Sequence, residues 1–166
     1  MAILLTNIET LVPNIAVKLL DSQDLLKCLF YNTRDALSKT NLTDNQKYNL
    51  INQDILVDTR IFFSPSPTIT ITEEQTQLRI FMSSFSPDNL YLGKAVFDFQ
   101  IIVHENLWLL NNTKQRPIVI IQEILKKLND ISVSGLGNLR LTNPIKIVKF
   151  ADNFTGYMMS LQNWSD

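Results

Sequence analysis

The chain has one histidine and one cysteine, and any side-chain chemistry has to begin from those two. His104 closes a β-patterned run. Cys28 lies in Leu25-Leu26-Lys27-Cys28-Leu29-Phe30, an apolar stretch of helical pattern. A single imidazole excludes multi-histidine zinc and non-haem iron sites, and a single thiol excludes thiolate metal sites. A Ser-His-Asp arrangement could be centred on His104, but no Gly-x-Ser-x-Gly elbow presents a serine. A Cys28–His104 pair would need two unremarkable positions to meet. Cys28 reads as a buried structural thiol, since free cysteine behaves as a small hydrophobe. His104 reads as a polar residue ending a strand on a solvent or interface face.

Other candidates are weaker still. Glu73-Glu74 is the densest acidic feature, and paired carboxylates can hold a hard cation or perform acid–base work. Adjacent residues point to opposite sides of a strand, so a solvated turn fits better. Gly135-Leu136-Gly137 lacks the further glycine and preceding strand of a dinucleotide loop and reads as a tight turn. Lys126, Lys127, Lys146 and Lys149, with Phe150, Phe154, Tyr157 and Trp164, could bind single-stranded nucleic acid. Core packing explains those aromatics more simply. The expectation is a protein that is not an enzyme and that uses no cofactor and no metal.

Composition agrees. Fifteen basic residues stand against 16 acidic ones, which gives no long-range attraction to nucleic acid or to an anionic membrane. One thiol cannot form an internal disulfide and suits an intracellular folding compartment. Met1-Ala2-Ile3-Leu4-Leu5 is apolar but too short, and lacks the basic flank, for a secretion signal. No run approaches the roughly 20 apolar residues of a membrane span. The Asn-x-Ser/Thr triplets, such as Asn153-Phe154-Thr155, read as chance in an asparagine-rich chain.

The elements that must position these residues are organised around 90–129. There, Phe97, Phe99, Ile101 and Val103 recur at period two and share one face of a strand, while Asp98, Gln100 and His104 lie on the other. A helix follows at Arg116-Pro117, with Ile118, Ile121, Ile124, Leu125 and Leu128 at helical spacing to cover the oily face. Residues 1–37 are helical in pattern, with a capping box at Thr6-Asn7-Ile8-Glu9 and a kink or restart at Pro13. Residues 32–52 are polar and read largely as an irregular connection, with Thr43-Asp44-Asn45-Gln46 able to cap a short helix through Leu50. Strands are expected over 54–63, 68–72, 77–83, 139–141, 145–150 and 155–164, with turns at Glu73-Glu74-Gln75-Thr76, at 84–89 and at Asn143-Pro144.

Strands joined by short turns imply antiparallel pairing. The fold class is therefore α+β: a mainly antiparallel β-sheet packed by one central amphipathic helix plus N-terminal helices. The expected organisation is one domain over 1–166, with a helical segment at 1–37 and a sheet over 54–164 that contains the helix 117–129.

Two stretches carry a resemblance. Leu19-Leu20-Asp21-Ser22-Gln23-Asp24-Leu25-Leu26-Lys27-Cys28-Leu29-Phe30-Tyr31-Asn32 resembles an amino-terminal pattern in structural proteins of tailed phages of low-GC, Gram-positive hosts. The order strand, helix beginning Arg116-Pro117, Gly-Leu-Gly turn and closing Phe150…Gly156-Tyr157 strand is similar to phage neck proteins of the tail-terminator (tail-completion) family. Together they span about half of the chain. The resemblance implies a small α+β virion protein that assembles as a ring, commonly a hexamer, ending the tail tube and joining the tail to the head connector. Head-closure proteins and other connector or tail subunits are the alternative. It implies tail-tube and connector proteins as partners, DNA passing through the ring lumen without specific binding, and a location in the virion after synthesis in the host cytoplasm. It brings no catalytic residues.

With catalysis set aside, the polar face of the long strand and the loop after it become the expected contact surfaces. Asp98, Gln100 and His104 should face solvent, a lumen or a neighbour. Asn111, Asn112 and Lys114, in the 106–115 loop, are the first choice for a partner. The polar stretches 32–52 and 106–115 would suit loops that order on assembly.

Overall fold

The computed structural model describes residues 5–52, 54, 57–65, 73–87, 93–134 and 136–164. Its helices are α1 (Leu11–Leu19), α2 (Gln23–Phe30), α3 (Asp44–Ile51) and α4 (Arg116–Leu128). Its strands are β1 (Ile61–Phe62), β2 (Thr76–Pro87), β3 (Gly93–His104), β4 (Ser132–Val133), β5 (Gly137–Leu141), β6 (Lys146–Ala151) and β7 (Phe154–Trp164). They form one seven-stranded sheet in the order β1-β2-β3-β7-β5-β4, with β6 paired to β7 beside β5. The class is α+β, as the periodicity implied.

The period-two pattern of β3 decides which face is covered. Phe97, Phe99, Ile101 and Val103 are buried and join one core with Ile15, Leu19, Leu25, Leu29, Ile120 and Ile124 from the helices. Phe62, Ile102 and Phe154 are buried as well but lie outside that core, on the other face of the sheet. β3 is the spine. β2 pairs with it from Thr76↔Val103 to Pro87↔Gly93, and β7 pairs with its other edge from Val96↔Gln162 to His104↔Phe154. Gly156 is required there: a Cβ at that position would fall 1.7 Å from the Ile101 carbonyl oxygen.

Several expectations need correcting. The alternation over 54–63 does not produce a long strand. Residues 57–58 form a turn, and among the described residues of this segment only Ile61–Phe62 are strand. The Thr59 hydroxyl donates to the Asn52 carbonyl at 2.6 Å, and Arg60 Nη1 donates to the Val57 carbonyl at 2.8 Å. Such local side-chain bonds offer the backbone an alternative to a ladder. The sheet is mainly antiparallel as expected, with β1 and β2 as its one parallel pair among the described strands. The turn expected from Ser84 is strand as far as Pro87, with a register shift between Met82 and Ser84 that bends the pair. The strand expected at 68–72 lies outside the described residues.

At the N-terminus, a 3-10 segment, Leu5–Thr10, runs into α1. Pro13 is then the third residue of α1, in the first turn, where its fixed φ suits the helix. The side chains of the capping box expected at Thr6 are outside the described residues. The box at Thr43 is present: Thr43 N–H donates to Gln46 Oε1 at 2.9 Å, and Gln46 N–H donates to Thr43 Oγ1 at 3.4 Å. It makes α3 a helix inside a stretch that composition alone reads as irregular.

Candidate functional site

The loop between β3 and α4 is built around Arg116, a side chain that is 0% exposed. Pro117 starts α4, as its fixed φ favours in a first turn. Arg116, just before it, turns its guanidinium away from the helix it begins. Nε donates to the Leu107 carbonyl at 2.8 Å, Nη1 to the carbonyls of Cys28 at 2.6 Å and Tyr31 at 2.9 Å, and Nη2 to that of Thr33 at 2.5 Å. Three of these acceptors are in or just past the last turn of α2, where carbonyls lack helical partners and the helix dipole favours a cation. Burial lowers the Arg116 pKa, with the Cys28 thiol as the opposing influence.

Backbone bonds then close the loop. Arg116 N–H donates to the Trp108 carbonyl at 2.8 Å, Leu110 N–H to that of Lys114 at 2.8 Å, and Asn111 N–H to that of Arg34 at 2.8 Å. Asn112 and Thr113 sit at the tip with φ of 65° and 62°. For a β-branched threonine that is a strained position. The strain is held at an exposed point between two anchored ends.

Around this loop the surface combines amides, cations and apolar side chains. Asn111, Asn112 and Lys114 line one depression of about 340 Å³ with Arg34, Asp35 and Leu110. Asp35 has a lowered pKa through bonds from Thr33 and Lys39. Lys114 also borders a second depression of about 310 Å³, with Ile118, Gln122 and Lys126. Leu109, which bridges to Gln115, is 46% exposed, and Ile118 in the first turn of α4 is 43% exposed. A third cleft, of about 250 Å³, lies between Glu105, Trp108, Ile147 and Thr155.

The three expected residues of β3 stand apart from this surface. Asp98 is half-buried and accepts from the Ser160 hydroxyl at 2.7 Å. Gln100 is half-buried beside Met158, its Nε2 3.9 Å from the Met158 sulfur. His104 is only 8% exposed. Its ring meets Phe154 edge-on at 5.0 Å, and its Nδ1 accepts from the Asn106 N–H at 3.2 Å. Its place on the sheet face opposite the helices was legible, but its exposure was not, because pairing of His104 with Phe154 covers the ring. Glu74 meets the same loop by accepting from Asn106 Nδ2 at 2.6 Å.

The fold keeps the chain's one thiol and one imidazole apart. Cys28 is in the helix layer and His104 is on the far face of the sheet. Burial pushes the Cys28 thiol up to about 12, which leaves it protonated and unreactive at neutral pH. Among the described residues no three of His, Cys, Asp and Glu cluster as metal ligands, and no helix is long and apolar enough to cross a membrane. Lys126 pairs with Glu123 at 2.6 Å and Lys149 with Asp152 at 3.4 Å, each within its own segment. Sequence reasoning overlooked Arg116 as an anchor, and Trp108 and Ile147 as surface. An arginine beside an N-terminal proline was the available sign, but its acceptors are distant in sequence.

Fold and surface together define an α+β protein whose distinctive feature is an anchored, partly apolar loop beside an exposed strand. The chain belongs to the YomW family, whose model matches residues 22–163. No curated protein matches it.

Proposed function

We propose that this protein is a structural component of a tailed-phage virion that works by assembly and not by catalysis. In this reading it forms a ring, commonly a hexamer, in the neck. The ring ends the tail tube and joins the tail to the head connector, with DNA passing through its lumen. Membership of YomW, a phage-associated family, supports the phage setting. The resemblance of residues 19–32 and of the closing half of the chain to tail-terminator proteins supports the neck role. The observation that carries the assembly reading is the 105–115 loop, fixed by buried Arg116 while presenting Leu109, Asn111, Asn112 and Lys114 outward. A contact surface held in one conformation before binding loses less entropy on association.

The test is to purify particles and locate the chain in them. Immunogold labelling or particle reconstruction should place it between the tail tube and the connector, and light scattering of the isolated protein or of particle fragments should give a multimer. Absence from purified particles would sink the reading. Presence at the tail tip or in the capsid shell would keep a virion role and remove the neck.

A further inference from the structure

We propose that the outer edge of β6 is a docking site for one extended strand of a different protein, apolar on its helix-side positions and acidic on the alternate ones. The proposal rests on the reading of this chain as an assembly protein and names a surface and a partner chemistry for it. β6 pairs with β7 only, and among the described residues no other strand lies on its outer side. An unpaired edge offers a row of N–H and C=O groups to any chain that can lie alongside.

Natural edges are usually blunted by charge or kept short. β6 is six residues long, and its Lys146 and Lys149 are such charges, yet Ile147 between them is 62% exposed. Register places Ile147 opposite Tyr157, on the helix side of the sheet, where Ile147 forms the cleft with Trp108, Thr155 and Glu105. An added strand would set every second side chain on that side. An apolar side chain there enters the cleft, and a carboxylate there would meet Glu105. Lys146 lies opposite Met158, on the other side, and has no ion pair among the described residues. A carboxylate on the alternate positions meets Lys146. Lys149 lies opposite Thr155, on the helix side with Ile147, but its charge is already met by Asp152 at 3.4 Å, so it does not call for a carboxylate there. A second copy of β6 is a poor occupant, because its six residues, Lys146 to Ala151, include no carboxylate to meet Lys146.

The test uses the purified full-length protein and two synthetic peptides, one of alternating valine and aspartate and one of alternating valine and lysine. Amide hydrogen exchange should slow across 146–151 with the valine–aspartate peptide and stay unchanged with the other. Lys146→Glu should weaken the first peptide about tenfold and give the second a measurable affinity. Ile147→Asp should abolish protection by the first peptide. Both positions are exposed, and an unchanged thermal melt confirms that each variant folds. The proposal is overturned if β6 is not protected by millimolar valine–aspartate peptide, if both peptides protect it equally, or if protection rises with protein concentration alone, which would identify a second copy as the occupant. None of these outcomes bears on whether the chain is found in particles, so the two readings fail separately.

Discussion

The 105–115 loop and strand β6 meet at the Trp108–Ile147 cleft and are held in opposite ways. The loop has irregular backbone and a strained tip, but three guanidinium bonds tie it to the end of α2 and the residues just past it, a fourth braces it on its own Leu107 carbonyl, and Asn111 ties it to Arg34. β6 is strand with one register shift, between Lys149 and Ala151, yet among the described residues only one of its edges is bonded, and four of its six side chains are exposed. Regular secondary structure is therefore the less secured of the two regions. Order here follows from where backbone polar groups find partners, not from the name of the element.

Removing the loop's anchor should produce the largest effect. Arg116→Ala deprives four carbonyls of their donor, at a cost of roughly 3 kcal/mol or more, which urea unfolding would register. Arg116→Lys should recover only a part, because one ammonium cannot span acceptors arranged around a planar fork. Cys28, whose carbonyl is among those acceptors, is a built-in reporter. Its thiol, raised to about 12, should resist a thiol reagent in the native protein. In Arg116→Ala its labelling should quicken by about a hundredfold, in step with local opening. A stability loss below about 1 kcal/mol would mean that the loop holds itself, and the contrast with β6 would disappear.

Gly156→Ala probes the other region. Its new Cβ would meet the Ile101 carbonyl oxygen, a backbone atom that cannot move without disturbing β3. A cost of about 2–3 kcal/mol is expected in the same unfolding experiment. Because Gly156 also pairs with Val148, the ladder between β6 and β7 should lose amide protection first. If protection falls evenly through the sheet instead, β6 is no looser than the strands that flank it.

The sheet spine and most of its cover were legible because β3 and α4 carry strong single-period patterns, and Phe97, Phe99, Ile101 and Val103 all fell on the helix side as expected; Ile118, read as part of the covering stripe, is instead 43% exposed, and Ile120, outside that stripe, is buried. The 54–63 segment misled because its alternation is that of a strand while Asn52, Thr59 and Arg60 bond locally to shape a turn. Asn111, Asn112 and Lys114 were legible as surface from their polarity. Arg116 was not legible as an anchor, since Cys28, Tyr31 and Thr33 are more than 80 residues away in the chain. His104 was misjudged for a similar reason: Phe154, which covers its ring, reaches it only through the pairing of β3 with β7.

A smaller effect tests the support beneath the loop's helix. The Ser22 hydroxyl caps α2 by accepting from the Leu25 N–H, and it donates to Glu123 of α4 at 2.8 Å. Burial pushes the Glu123 pKa up, but bonds from Lys126 and Ser22 outweigh it and hold the carboxyl below its ordinary 4.5. A depressed pKa contributes stability that is full above the unfolded value and is lost as pH falls through the folded one. Glu123→Gln should therefore cost up to about 1 kcal/mol at neutral pH, and the difference from the native protein should shrink as pH falls from 4.5 and vanish once it has passed the lower folded value. A difference that persists at low pH would assign the effect to packing of α4 and not to the charged cap.

The smallest effect on stability should come from Ile147→Ser, and its smallness is the point. Ile147 is largely exposed, so its truncation should shift the unfolding midpoint within the range of about 0.5 kcal/mol that surface changes produce. An exposed apolar side chain that contributes little to folding is available for contact with another chain. If Ile147→Ser instead destabilised the protein as much as Gly156→Ala, the side chain would belong to the fold, β6 would be as well secured as the loop, and its outer edge would lose its distinction as an unfinished surface.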